Sequence, residues 1–247
     1  MTITAMNAQN LQSPWTHWFM YGDSGAGKTK AASTFPRPVF LVPENEGSIT
    51  TLRGLDVPYY TITDKSSPLR NGRGGMVHVL DELEHEYASN PDNFPFDTIV
   101  VESLTHFADL AVEEISNGAT VPMDQFRWGL LSSHLRNLQA RLRRLDVHAV
   151  FTALAKTEAD DNKVLLGLPM VQGQAALKIP SACDVIAYCE VSPSKNAPVF
   201  SVHTRRYKHF IARSRFKRLP ARIDNFNFAD IADTLGADAP ATATAAK

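Results

Sequence analysis

The chain has 247 residues, a formal net charge of −1, and 44% hydrophobic and 21% charged residues. That length and apolar share fit one large α/β domain, alone or with an appendage, and the near-neutral balance excludes a chain that is basic throughout. No apolar run approaches the ~20 residues of a membrane helix, the N-terminus lacks a signal-peptide pattern, and Cys183 and Cys189 in one extended run would sit roughly 20 Å apart, too far for a disulfide; a cytoplasmic protein with no membrane partner is expected.

Residues 1–14 read as a flexible N-terminal arm, 15–235 as one domain, and 236–247, small and polar, as a disordered tail. "WTHWFMY" (15–21) is a short aromatic strand running into a glycine loop, and "GKTKAASTF" opens a helix that "PRP" ends. "VFLVPE" (39–44) and "VPYYTIT" (57–63) read as strands, 64–75 as a loop, and 76–89 as a helix with Val79, Leu80, Leu83 and Tyr87 on one side. "DTIVVES" (97–103) is a buried strand and 104–116 a helix. From Gln125 to Leu145 the residues Trp128, Leu131, Leu135, Leu138, Leu142 and Leu145 recur at helical spacing on one face. "VHAVFTAL" (147–154) is a further buried strand, 156–174 a loop or small hairpin, and 175–191 a short helix followed by a strand. "PVFSVHTRR" and "HFIARSR" read as a hairpin pair. Strands alternating with helices predict a mainly parallel sheet with helices on both faces, and the hairpin-like end predicts antiparallel strands at the C-terminal edge.

Gly22-Asp23-Ser24-Gly25-Ala26-Gly27-Lys28-Thr29 fits G-x-x-x-x-G-K-[ST] between a strand and a helix, which is the context the motif requires. Glycines let backbone N–H groups turn towards phosphate oxygens, Lys28 reaches the β- and γ-phosphates, and Thr29 offers a hydroxyl to Mg2+. Lys30 continues the loop. The ligands implied are ATP and Mg2+. "TIVVES" ends in Glu102, an acid placed for the metal side, while Asp97 stands at the wrong end of that strand. Glu44 and Glu46 follow the strand at 39–44, and Glu44, nearer its end, is the first choice to orient an attacking water.

From Val191 to Ile223 there is no Asp or Glu, whereas Arg205, Arg206, Lys208, Arg213, Arg215, Lys217, Arg218 and Arg222 are clustered there. Three readings stand: a guanidinium reaching a neighbouring subunit's γ-phosphate, a patch for the DNA backbone, or a solvated basic face. Tyr207, Phe210 and Phe216 are placed either to stack bases or to fill a core. Arg136, Arg141, Arg143 and Arg144 read as solvent-facing or intersubunit. His106, His134 and His148 are scattered and complete no metal signature.

The ordered set "GDSGAGKT", "PENEGS", "VVESLT", "RWGLLSSHLRNL", "AVFTALAK", "QGQAALKIP" and "ARSRFKRLP" resembles the RecA-like P-loop ATPases carried by phages. These are core-only relatives of RecA and the DnaB helicase domain, associated with recombination and single-strand annealing. The resemblance implies an α/β RecA-like P-loop NTPase fold and a DNA-stimulated, Mg2+-dependent ATPase acting on single-stranded DNA. It implies a homo-oligomer, ring or filament, with a single-strand-binding protein as a further partner class. Glu44 matches the water-activating glutamate, Glu102 the metal-side acid, Thr157–Gln174 a DNA-binding loop, and Arg213 and Arg215 the basic pair that reaches across a subunit interface. Glu102 stands where relatives carry Asp, and Leu154 where they place a γ-phosphate sensor. Two other readings of the same loop are a small-molecule kinase and a non-hydrolysing, nucleotide-gated scaffold.

Overall fold

A computed structural model describes residues 14–44, 47–63, 75–159, 163–194 and 197–236. Residues 1–13 of the expected arm, all but the first residue of the tail, the loop at 64–74, and Glu46 lie outside the described residues. In chain order the elements are β1 (His17–Gly22), α1 (Lys28–Ala32), β2 (Pro38–Pro43), β3 (Tyr59–Ile62), α2 (Met76–Ser89), β4 (Thr98–Val101), α3 (Leu104–Ile115), α4 (Gln125–Leu142), β5 (His148–Ala159), β6 (Leu165–Pro169), α5 (Ala175–Ala182), β7 (Val185–Ser192), β8 (Val199–His203), β9 (Arg213–Ser214), β10 (Arg222–Asp224) and α6 (Ala232–Gly236).

The sheet runs β10-β8-β7-β1-β5-β4-β2-β3. From β7 to β3 all neighbours are parallel, and β8 and β10 add antiparallel strands at the C-terminal edge. The expected α/β class, with a mainly parallel sheet, helices on both faces and antiparallel strands at the C-terminal edge, is therefore the observed one. The unbroken apolar strands follow from burial on both faces. Phe19 and Tyr21 of β1, Val39 and Leu41 of β2, and Ile99 and Val101 of β4 enter the core beneath α2, α3, α4 and α5. Their neighbours Trp18 and Met20, Phe40 and Val42, and Val100 enter the opposite core with α1 and Phe228. Cys183 and Cys189 are both buried and free, one in each core, so the sheet itself separates them.

Several elements differ from expectation. α1 is short because Ser33 and Thr34 turn their hydroxyls back to the carbonyls of Lys30 and Ala31, a local alternative to further helix. α4 ends at Leu142, although Leu145 still reaches the core. Of the two alternatives at 156–174, the small hairpin is the one observed: β5 continues to Ala159 and pairs antiparallel with β6 as a half-exposed ribbon. The expected hairpin between 198–206 and 209–215 does not form. One edge of β8 is taken by β7 and the other by β10, while β9 pairs with the start of β7. Residues 207–210 instead close on themselves in a turn bridged from Tyr207 to Phe210. Arg141 is not solvent-facing. It is 9% exposed and binds Glu84 and Asp81 of α2, at 2.8 and 2.6 Å. Arg143 also bonds within the chain, to the Ala182 carbonyl.

Candidate functional site

At the C-terminal ends of the parallel strands, the loop after β1, the acid after β4 and Leu154 midway along β5 converge on a cleft of about 650 Å³. Ser24, Gly25, Gly27, Lys28, Thr29 and Lys30 line one wall. Gly27 has φ +83°, and a Cβ built on it would lie 2.8 Å from Cδ1 of Phe200, so both conformation and space demand glycine. The Lys28 ammonium is buried and donates to the carbonyls of Gly22 at 3.0 Å and Asp23 at 2.8 Å. A cation is thereby held inside the curl of the loop. Asp23 is exposed, and Ala26 faces an adjoining cavity instead of the cleft.

β5 lies between β1 and β4, so the loop and the acid come from strands that are not neighbours. They nevertheless meet: the Thr29 hydroxyl donates to Oε1 of Glu102 at 3.1 Å, and Glu102 is 2% exposed. Ser103 follows across a cis peptide and caps α3 by accepting from the His106 N–H. Among the described residues no group of three or more His, Cys, Asp or Glu forms a metal cluster. A hard cation held by the Thr29–Glu102 pair must therefore draw the rest of its oxygen shell from phosphate and water, which suits Mg2+.

Glu44 is exposed at the end of β2. Its N–H donates to the Ile62 carbonyl at 2.6 Å, and it is not one of the residues that line the cleft. Arg213 and Arg215 lie far from it. Arg213 pairs with Ile186 near the start of β7, whereas Gly22 pairs with Cys189 nearer its end, so the arginines sit towards the N-terminal ends of the parallel strands, away from the cleft. There Arg213 donates to the carbonyls of Ser181 at 2.7 Å and Cys183 at 3.2 Å. Arg215 pairs with Asp184 at 3.1 Å. Both tie β9 to the C-terminal end of α5. The aromatic residues of the basic segment pack inward: Phe210 stacks on Tyr188 with centroids 3.7 Å apart, Tyr207 on His203 at 3.8 Å, and Phe216 against the core. Arg206, Lys208, Lys217 and Arg218 remain exposed.

Sequence reasoning missed several cleft residues. His106, read as scattered, lines the cleft from the first turn of α3; its place shortly after Glu102 was the available signal. Ser48 and Thr51 reach the cleft from the turn after Glu44. Phe200 comes from β8, far along the chain, and no local pattern marks it. Leu154 does line the cleft, with its N–H bonded to the Thr105 hydroxyl at 3.0 Å. Beyond it β5 runs directly into the β5–β6 ribbon. The Tyr21 hydroxyl, adjacent in sequence to the phosphate loop, donates to the Ile211 carbonyl at 2.6 Å and lies 3.2 Å from that of Gly167 at the ribbon's base.

A family model described as an AAA domain matches residues 16–216. None of the curated proteins matches the chain. Among solved structures, the KaiC-like protein PH0186 from the hyperthermophilic archaeon Pyrococcus horikoshii OT3 is similar over 78% of this chain and 79% of that one, with 11% identity and a TM-score of 0.44.

Proposed function

We propose, from the premise that the chain belongs to the AAA domain family, that it is a Mg2+-dependent ATPase that works on single-stranded DNA as a homo-oligomer, in recombination, annealing or replication of the phage type. The observation that carries the catalytic half is the buried Thr29–Glu102 pair, 3.1 Å apart beside the Lys28 ammonium. Lys28 exchanges loop carbonyls for β- and γ-phosphate oxygens. Thr29 and Glu102 would hold Mg2+ through hydroxyl and carboxylate, and the ion would supply positive charge to offset that on the phosphate oxygens while the bond between γ-phosphorus and the bridging oxygen breaks. Water attacks the γ-phosphorus, and ADP and phosphate leave. Glu44, at the end of β2, is assigned the orientation of that water; as it stands clear of the cleft, it does so only after the turn behind it moves inward.

Arg213 and Arg215 cannot serve the cleft of their own chain, because they lie towards the N-terminal ends of the parallel strands while the cleft lies at their C-terminal ends. A catalytic role for them therefore belongs to a neighbour's cleft, and this is the reason to assign an oligomer. DNA contact is assigned to the exposed Arg206, Lys208, Lys217 and Arg218; Arg215 and Arg222 are paired with Asp184 and Asp224. The β5–β6 ribbon carries Glu158 paired with Lys156 at 2.6 Å and offers phosphate little net attraction. Its value lies in being continuous with the cleft through Leu154.

The test is ATP turnover by the purified chain with and without single-stranded DNA. Turnover raised by DNA supports the proposal. Turnover raised only by a nucleoside or metabolite points to a small-molecule kinase, and tight ATP binding without turnover points to a nucleotide-gated scaffold; either outcome refutes it.

A further inference from the structure

A second, smaller cavity of about 150 Å³ adjoins the phosphate cleft. Ala26, Ala31, Val202, Asn225, Phe226 and Phe200 line it. Gly27, Lys30 and Phe200 line both spaces, so the two are continuous around the phosphate loop. Their walls differ in kind. The cleft presents Lys28, Thr29 and Glu102, whereas the smaller cavity is walled by residues of the apolar core on that face, Ala31, Val202 and Phe226 among them.

The sheet order gives the pair a direction. Glu102 follows β4, which lies beyond β5 on one side of β1; Phe200 and Val202 belong to β8, beyond β7 on the other side. A nucleoside triphosphate with its terminal phosphates at Thr29 and Glu102 must therefore leave the loop towards β8. Along that route it meets an apolar recess with an aromatic ring at its mouth. Phosphate has no use for such a wall, while a purine or pyrimidine face does. Alternation along β8 puts Phe200 and Val202 on the same face. Phe200 is held from both sides by Asn225, whose N–H donates to the Phe200 carbonyl at 2.6 Å and whose Oδ1 accepts from the Phe200 N–H at 3.4 Å. With that oxygen engaged, the NH2 of the Asn225 amide is the part left to donate to a ring nitrogen. Asn225 sits at φ +50°, a conformation asparagine tolerates better than most residues.

We propose that this cavity is the nucleobase seat of the site, with the Phe200 ring against the base face and the Asn225 amide at its edge. The inference rests on the reading of the cleft as a triphosphate site. It assigns Phe200 a binding role that the phosphate-loop motif does not contain.

Calorimetric titration of the full chain with ATP and with inorganic tripolyphosphate, both with Mg2+, tests it. Tripolyphosphate fills the phosphate cleft but has no base. Phe200→Leu keeps much of the side-chain volume without the aromatic face, and should weaken ATP about 5-fold or more, the lower end for loss of one base–aromatic stack. Tripolyphosphate affinity should not change. Phe200→Tyr should bind ATP as the wild type does, and Asn225→Gly, which keeps the backbone conformation accessible, should weaken ATP but not tripolyphosphate. Equal losses for both ligands in Phe200→Leu, or unchanged ATP affinity, would overturn the nucleobase seat alone. A wild-type chain that binds neither ligand would overturn the triphosphate reading beneath it.

Discussion

Alanine at Gly27 should cost more than alanine at Gly25, although both glycines sit at positive φ, +83° and +78°. The backbone term is common to the two: a left-handed residue with a Cβ costs about 1–2 kcal/mol. The packing term is not. Nothing lies within 4 Å of a Cβ built on Gly25, whereas one on Gly27 meets Phe200 Cδ1 at 2.8 Å, Cγ at 3.2 Å and Cβ at 3.4 Å. Rotating the ring about its Cβ–Cγ bond relieves the first contact but not the second, because Cγ lies on that axis. Overpacking of this kind costs about 1–3 kcal/mol. Gly25→Ala should then lower the melting midpoint by about 2–8 °C and Gly27→Ala by about 4–20 °C, at about 2–4 °C per kcal/mol for a domain of this size. The assay is thermal unfolding followed by circular dichroism, with Phe200→Ala and the double variant Gly27→Ala/Phe200→Ala completing a cycle. The added Cβ should be better tolerated once the ring is gone. Equal losses at Gly25 and Gly27, or no coupling between Gly27 and Phe200, would refute the claim that the ring rests on the loop.

Glu102→Gln keeps an oxygen to accept from Thr29 but removes the charge; turnover should fall by about 10²–10³ with the melting midpoint unchanged or raised, and retained turnover would remove Glu102 from the metal site. His17 and His148 are each lowered from 6.5 to about 4 chiefly by burial, with Arg143 adding to the effect at His17. Both are neutral in the fold, while the unfolded chain takes up its protons below about 6.5. Stability should therefore be full above that pH and fall as pH drops towards 4, by about 3 kcal/mol per imidazole; a denaturation midpoint flat from pH 7 to 4 would contradict this. Arg215→Ala removes a side chain that is 49% exposed beside Asp184, so the fold should lose no more than about 1 kcal/mol. Turnover should nonetheless vanish while an isolated subunit still binds ATP. Mixing Arg215→Ala with Lys28→Ala subunits should restore part of the turnover, because some interfaces then join an intact loop to an intact arginine; a mixture that stays inactive would refute the shared site.

The phosphate loop and the acid after β4 were legible because each is a contiguous signal: an apolar strand, then a group whose chemistry depends on being at the strand's end. Helix α2 and the buried face of α4 were legible by periodicity, since a helix shows its core-facing residues at fixed spacing whatever it packs against. What it packs against is not in the pattern. Arg141 stands between Leu138 and Leu142 on α4, and only the placement of α2 brings Glu84 and Asp81 to it. The strands of the C-terminal segment were legible as strands, but their partners were not, because alternation is the same whether β8 pairs with the next segment or with β7 and β10. Phe200 was hidden for the same reason: its contact with Gly27 is made by sheet order. The basic segment misled in a further way. Arg213 and Arg205 spend their guanidinium groups on backbone carbonyls, so a count of cations overstates the charge open to a partner.

Phosphate release from ATP by the wild-type chain and by Lys28→Ala, measured side by side with Mg2+ and with both folds verified by circular dichroism, tests the central claim most directly. The ammonium that now bonds Gly22 and Asp23 is the cation assigned to the β- and γ-phosphates. The wild type should release phosphate and the folded variant should not. Turnover by Lys28→Ala at the wild-type rate would contradict it, since the hydrolytic site would then lie elsewhere.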